Sequence, residues 1–403
     1  MFNPNMEKLQ KKFYLPIVDS LRFFAFFLVL IHHSQIFPAT TKIGQIISDR
    51  IHSYGWIGVD LFLCISAYLI TELLVREFNI NKNFSITYFY FRRLLRICPL
   101  YYLALLLGFF ILPFFNIGFR FPIFGVDYFV MLNKYLLSMV FFMGNYSFGA
   151  NGYPPSQFLA PLWTISMETQ FYILWPILLK FLLKKKNFTK YITLVVLLLF
   201  SITMKYFSIL NGVAHPFIWT NLFNRLDPFL FGSLVAFMNQ DKIFNKFVSS
   251  FFVFLLGIFA IIIITPGQNI DINSNNIIYK YFFSALGFSL ILLYVTNIKS
   301  KSIINKILSW EPFAWLGKIS YGLYVYSVLG ALITVKILSF IYSKIPNLFN
   351  FSSVEINQLL QWVFYLIVNI SFDIILAALS YYFFEKAFLK FKIKYTIIEN
   401  RKF

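Results

Sequence analysis

Residues 17–37 read IVDSLRFFAFFLVLIHHSQIF, an apolar run in which only Asp19, Arg22, His32 and His33 are ionisable. As a helix the run is about 30 Å long, the thickness of a bilayer hydrocarbon core, so it is read as a membrane span. Ionisable groups at such depth are costly; they face the bundle interior and mark a path or a reaction site. Arg22 and His33 are eleven residues apart. At 100° per residue they fall within about 20° of each other around the helix and about 16 Å apart along it, too far for contact. One helix face thus carries a guanidinium toward one membrane surface and a titratable imidazole toward the other.

The rest of the chain shares this character. Its 403 residues are 59% hydrophobic and 13% charged, with a mean hydropathy of +0.72, whereas an ordinary soluble domain is about 25% charged. No long polar block is left to form a separate soluble domain. In a soluble protein a net charge of +19 would suggest nucleic acid. Here the basic residues sit in short loops between apolar segments, so positive-inside bias explains them and no nucleic-acid partner is expected. Cys64 and Cys98 fall in or beside predicted spans and read as small apolar residues, without a disulfide framework. Lys8, Lys11 and Lys12 flank the first span as they would a signal peptide, but the apolar run is too long and further spans follow, so it is read as retained.

Further spans are predicted at 54–75, 99–115, 162–183, 191–210, 222–237, 247–265, 277–296, 313–339 and 362–384. The apolar piece at 135–146 would cover only about 18 Å as a helix and is expected to be re-entrant or to lie on the surface. Charge decides the parity. Arg76, Lys82, Arg92, Arg93 and Arg96 form the densest short basic loop, which places it and the N-terminus in the cytoplasm. With 135–146 uncrossed, Lys184, Lys185 and Lys186 fall on the same side, followed by Lys242 and Lys246 and then by Lys299, Lys301 and Lys306. The loop PGQNIDINSNN falls outside. The expected fold is an all-α polytopic membrane helix bundle of about ten transmembrane helices with both termini cytoplasmic. Residues 1–16 form a cytoplasmic segment, 17–384 the membrane domain, and 385–403 a basic cytoplasmic tail ending near Arg401 and Lys402. No convincing internal repeat or low-complexity linker is found.

This topology gives each intramembrane polar group a depth. His33 lies about 6 Å below the outer surface, and Asp60 and Glu168 about 9 Å below it. Arg225 and Asp227 enter at the outer end of the sixth span, and Ser327 lies near that level in the ninth. Five segments therefore deliver polar groups to one outer-leaflet layer. At the opposite surface Arg22, Arg92, Arg93 and Arg96 gather with Tyr88, Tyr90, Tyr101 and Tyr102. Such a collar suits a polyanionic head group, because guanidinium pairs bidentately with phosphate oxygens. Plainer alternatives stand beside these. Arg76 and Lys82 read as ordinary loop charge, and His33 could be a packing histidine bonded to a carbonyl. Asp60 and Glu168 could belong to a buried ion-pair network with Arg225. His32, about 100° from His33, reads as interfacial or packing. His52 and His215 read as solvated or capping, and Trp163, Tyr172 and Trp175 as belt or packing residues. A metal held by His33, Asp60 and Glu168 lacks a compact ligand motif, and none is expected.

Six stretches carry these residues: LRFFAFFLVLIHH, GVDLFLCISAYLIT, FYFRRLLRICPLYY, LWTISMETQFYILWP, NLFNRLDPFLFG and LGKISYGLYVYS. In this order, over residues 18–385, they resemble the acyltransferase-three family of integral membrane O-acyltransferases. Its members modify surface polysaccharides, peptidoglycan, lipopolysaccharide and small hydroxylated products. The family's arginine and histidine, separated by ten residues, select His33 over His32. Ala67 stands where the family has glycine after a serine, here Ser66, and keeps the position small. Thr164 stands where many members have serine. Ser327 stands where many have histidine, which removes a possible second imidazole. Larger members add an extracytoplasmic hydrolase-like domain. This chain ends soon after its last predicted span, so transfer is expected to be completed by the membrane unit or by a separate partner. The resemblance implies a bacterial inner-membrane location.

It also implies acyl transfer from a cytoplasmic thioester, most simply acetyl-coenzyme A, to a hydroxyl of an extracytoplasmic glycan or glycolipid. The nucleotide end would stay near Arg92, Arg93 and Arg96, with Arg22 meeting a phosphate or the upper arm. An extended pantetheine arm, about 15–20 Å long, matches the rise of about 16 Å from Arg22 to His33. His33 would act as general base, Asp60 or Glu168 would orient the imidazole, and Arg225 would stabilise the oxyanion or hold an acidic acceptor. Two rivals remain: a transporter or flippase for a glycolipid or small amphiphile, and a non-catalytic membrane scaffold. Acyl chain, acceptor hydroxyl and oligomeric state are not readable from the sequence.

Overall fold

The computed structural model describes residues 14–34, 45, 54–118, 125–213, 215–241, 250–264, 276–345, 348–349 and 354–396. Several expectations lie outside these residues: those for Lys8, Lys11 and Lys12, for 38–44 and 46–53 with His52, for Lys242 and Lys246, for the loop at 266–275, and for Arg401 and Lys402.

Helices stand at all ten expected positions. α1 is Pro16–His33, and α2 is Gly58–Asn81 after a tight turn at Gly55–Ile57. α3 is Ile86–Leu106, prolonged to Phe114 through a wider turn at Leu107–Ile111. Then follow α4 (Leu162–Leu182), α5 (Asn187–Leu210), α6 (Asp227–Asp241), α7 (Phe251–Ile263), α8 (Asn276–Asn297), α9 (Ser320–Lys344) and α10 (Val354–Ser380). Among the described residues seven helices, α1, α2, α3, α5, α8, α9 and α10, are long and apolar enough to cross a membrane. The chain is a polytopic helical membrane protein. α7 is apolar but has only 13 residues, α6 has 15, and α4 carries Glu168, Thr169 and Gln170 in mid-helix. At 135–146 the chain breaks at Phe142, whose φ is 57°, between the short helices Leu137–Val140 and Gly144–Asn151. Neither is long enough to span.

The basic stretch after α2 is not the loop that its charge predicted. α3 already starts at Ile86, where the Ser85 hydroxyl accepts from the Tyr88 amide at 3.2 Å, so Arg92, Arg93 and Arg96 sit on helical turns. Buried Phe89 and Ile97 share these turns with the arginines, so the helix runs on through the charges, which is why charge alone misplaced the boundary. Pro99 lies inside the same helix. The ninth span likewise divides into a short helix, Glu311–Lys318, and α9.

α2 is the centre of the bundle. Of its most apolar window 89% is buried, against 17% for α5, whose outward face is left for lipid. α2 and α6 make the most extensive helix pair. Gly232 permits it: a Cβ there would lie 2.1 Å from the Cys64 carbonyl oxygen. α1 crosses α2 at Gly58, where a Cβ would lie 2.5 Å from the Ala25 carbonyl oxygen. Helices in lipid gain little from hydrophobicity when they pair, so small residues at such crossings supply the close packing.

Candidate active site

α1, α2, α4 and α9 leave a pocket between them, lined by Arg22, Phe62, Glu168, Ser320 and Tyr324 among others. Glu168 is half-buried, and its Oε1 accepts hydrogen bonds from the Ser66 and Tyr172 hydroxyls. Those two hydroxyls are themselves 2.5 Å apart. Ser66 lies six residues beyond Asp60, about 9 Å further along α2. Glu168 therefore sits deeper than the layer in which its sequence position placed it. It lines the same pocket as Arg22, and Arg22 lies in its field and in that of Arg96.

Among the described residues no carboxylate approaches Arg22, Arg93 or Arg96 within 4 Å. The buried Nε atoms of Arg22 and Arg93 have no hydrogen-bond partner. Arg93 lies over the rings of Phe89 and Tyr172, at 5.4 and 5.5 Å from their centroids, so aromatic faces meet the cation in place of acids. Arg92 differs from them. Its Nη2 pairs with Glu77 at 2.7 Å and its Nη1 donates to the Tyr395 carbonyl at 2.7 Å. A guanidinium so occupied holds the fold, whereas the other three have no carboxylate within 4 Å among the described residues.

The second group of charges is paired, although Arg225 Nε and Nη1 and Asp60 Oδ2 have no hydrogen-bond partner among the described residues. Arg225 pairs with Asp60, and Lys205 with Asp227; all four are fully buried. The Arg225 guanidinium is stacked between Trp219 and Tyr281, 4.2 and 3.8 Å from their centroids, and Ser201 donates to Asp227 at 3.0 Å. These partners join α2, α5, α6 and α8.

His33 ends α1 with its ring exposed among the described residues; the segments 35–44 and 46–53 lie outside them. Its Nδ1 meets the Val29 carbonyl at 2.8 Å. A carbonyl only accepts, so Nδ1 carries the hydrogen and Nε2 the lone pair of the neutral ring. The imidazole is thus oriented by a backbone carbonyl of its own helix. Asp60 and Glu168, the carboxylates expected in that role, are engaged with Arg225 and with Ser66 and Tyr172. His32 packs edge-on to His33 with centroids 4.9 Å apart. The Ser327 hydroxyl donates to the Tyr324 carbonyl of its own helix at 2.9 Å. Trp163 and Trp175 are interior packing residues, not belt residues, and Trp175 donates to Thr71 at 2.8 Å.

The outer-leaflet layer expected from topology therefore resolves into three places: Asp60 with Arg225, Glu168 with Arg22, and His33 at the helix end. Sequence reasoning missed the pairing of Lys205 with Asp227, although a lysine in mid-span was a signal for it. It also missed Glu77 as the partner of Arg92. Among the described residues no three His, Cys, Asp or Glu side chains gather as metal ligands would.

Residues 15–378 match a family model described as an acyltransferase domain. The O-acetyltransferase OatA of Staphylococcus aureus, in strains NCTC 8325 and COL, is 26% identical over 334 residues, covering 80% of this chain and 51% of the relative. A second protein of strain COL, SACOL0978, provisionally named an O-acetyltransferase, is 26% identical over 403 residues, covering 96% of this chain and 59% of the relative. The chain thus spans a little over half the length of these curated relatives. No solved structure matches it.

Proposed function

The chain belongs to the acyltransferase-three family, and from that premise we propose that it is a bacterial inner-membrane O-acetyltransferase using cytoplasmic acetyl-coenzyme A and a hydroxylated extracytoplasmic glycan or glycolipid. The observation that carries the proposal is Arg22, which lines a pocket between helices and, like Arg93 and Arg96 nearby in charge, has no carboxylate within 4 Å among the described residues. A cation cluster that the fold does not neutralise is stabilised by a polyanionic ligand, and the phosphates of coenzyme A meet that need.

The nucleotide stays at the arginines while the pantetheine arm passes Glu168 and Arg22 toward the His33 end of α1, a rise of about 16 Å. His33 Nε2 takes the proton of the acceptor hydroxyl, whose oxygen attacks the thioester carbonyl. The C–S bond breaks, the acetyl group stays on the acceptor oxygen, and the proton passes to the leaving thiolate. The Val29 carbonyl keeps the ring in the tautomer this requires. Glu168, held by Ser66 and Tyr172, shares the pocket with Arg22 on the path of the arm. Asp60 and Arg225 serve the site by locking the surrounding helices rather than by touching the reacting atoms.

Purified protein given labelled acetyl-coenzyme A and a panel of glycans tests this. Label on an acceptor hydroxyl supports the proposal. Movement of a glycolipid without consumption of thioester would identify a transporter, and neither outcome would leave a scaffold.

A further inference from the structure

α10 gives most of its surface to lipid. Its buried positions recur every fourth residue, at Tyr365, Asn369, Asp373 and Ala377, and the residues between them are half-buried or exposed. A stripe so narrow on a helix in lipid is expected to be small or apolar, yet this one carries an amide and a carboxylate. Asp373 lies near the middle of the apolar span Ile356–Phe391.

The stripe packs on α9. A Cβ at Gly322 would lie 3.1 Å from the Ala377 Cβ. A Cβ at Gly330, about two turns further along α9, would collide with Asp373 Oδ1 and lie 3.3 Å from Asn369 Oδ1. The missing side chain of Gly330 therefore brings both oxygens against the α9 backbone, one turn from the wholly buried Thr334. Asp373 Oδ1 and Oδ2, Asn369 Oδ1 and Thr334 Oγ1 are all buried without a hydrogen-bond partner among the described residues. Nor does any described lysine, arginine or histidine come within 4 Å of Asp373. The titratable groups on the packed faces are Tyr365, which lies in the field of Asp373, and Tyr326, which reaches Ser380. α1 adds only Phe23, Phe26 and Leu30 beside Ala377. None of these brings a positive charge.

Three of the four oxygens only accept hydrogen bonds, and acceptors facing one another repel. A bare carboxylate at this depth is costly, and a water molecule supplies donors but no charge. Asp60 meets the same need with Arg225. We propose that Asp373, Asn369 and Thr334 form a binding site for a single positive charge, a proton or a sodium-sized ion, where α9 crosses α10. Asp373 supplies the charge, Asn369 and Thr334 supply neutral oxygens, and the occupant ties the two helices together. The site owes nothing to the donor assignment above.

Two measurements on the purified full-length protein at neutral pH test it together. One is melting in sodium chloride against choline chloride at equal ionic strength, and the other is the infrared difference spectrum of wild type against Asp373→Asn. Bound sodium is expected to raise the melting temperature of wild type by a few degrees over choline and to leave Asp373→Asn unmoved. A bound proton shows instead as a carboxylic-acid carbonyl stretch that is present in wild type and absent from Asp373→Asn. Asn369→Leu, which keeps the acid, should shrink the sodium effect or shift the acid band, and it assigns that band even where Asp373→Asn does not accumulate. A carboxylate band for Asp373 with melting indifferent to sodium overturns the site. So does a sodium effect that survives in Asp373→Asn without an acid band in wild type. Asn369→Leu protein that matches wild type in both readouts overturns the three-residue assignment.

Discussion

Two regions of this bundle are built from the same residue types and do opposite things with them. Around Arg225 every cation has its acid: Asp60, Arg225, Lys205 and Asp227 are wholly buried, and aromatic rings close the guanidinium in. Around Arg22 the cations Arg22, Arg93 and Arg96 have no acid within 4 Å among the described residues, and a pocket opens beside Arg22. Ion pairs inside a membrane protein hold helices together when complete, whereas an incomplete set leaves cations to aromatic faces, carbonyls, cavity water or a ligand. Charge inside a span is therefore informative about function only after its partners are known.

The proposed catalytic end gives the largest test of that contrast. His33→Ala should lower acetyl transfer by about 10²–10⁴-fold, the usual contribution of a positioned general base, while folded protein still accumulates in the membrane. Turnover at the wild-type rate would remove His33 from the chemistry. Next comes the closed region. Arg225→Ala should destabilise the fold by about 3–5 kcal/mol, because it strands Asp60 without its partner. Thermal unfolding in detergent measures this, and Asp60→Leu combined with Arg225→Met should recover part of the loss. A variant that melts normally but loses turnover would instead make Arg225 part of the reaction.

In the open region the sign of the comparison reverses. Arg22→Gln and Arg93→Gln should leave melting nearly unchanged, since neither loses an ion pair, yet weaken coenzyme A binding by about 10–100-fold, the range of one charge-assisted hydrogen bond. Calorimetry with coenzyme A checks it, and a fall in melting temperature without a change in affinity would place both arginines in the closed class. Smallest of all, Tyr172→Phe removes one donor to Glu168, which retains Ser66. An effect of about 0.5–1.5 kcal/mol on stability is expected, with a change of severalfold at most in the donor KM.

The helices were legible because their signal is local. The 21 residues of α4 and the 24 of α5 are readable from hydropathy to within a few positions. α3 was misjudged at its start because the positive-inside rule reports which side a charge is on, not whether its backbone is helical. The charged residues of the site were also visible as costly groups in apolar runs. Their partners were not. Arg92 and Arg93 are adjacent in the chain, yet one is tied to Glu77 and Tyr395 while the other faces the rings of Phe89 and Tyr172. The 100° between successive residues on a helix separates them, and no composition or spacing rule says what stands at each azimuth.

By itself the sequence determined that this is a polytopic helical membrane protein, that Arg22 and His33 share a face of one helix, and that an ordered set of motifs runs along the bundle. Each follows from hydropathy, helix period or motif order, all of which are properties of neighbours in the chain. Only the tertiary structure decided that Arg225 is paired with an acid while Arg22 has none within 4 Å among the described residues, that Glu168 belongs with Ser66 and Tyr172, and that the tail returns Tyr395 to Arg92 of α3. Those are contacts between residues far apart in sequence, and they depend on how helices rotate and cross. A charge in lipid requires a partner, but it does not specify which one.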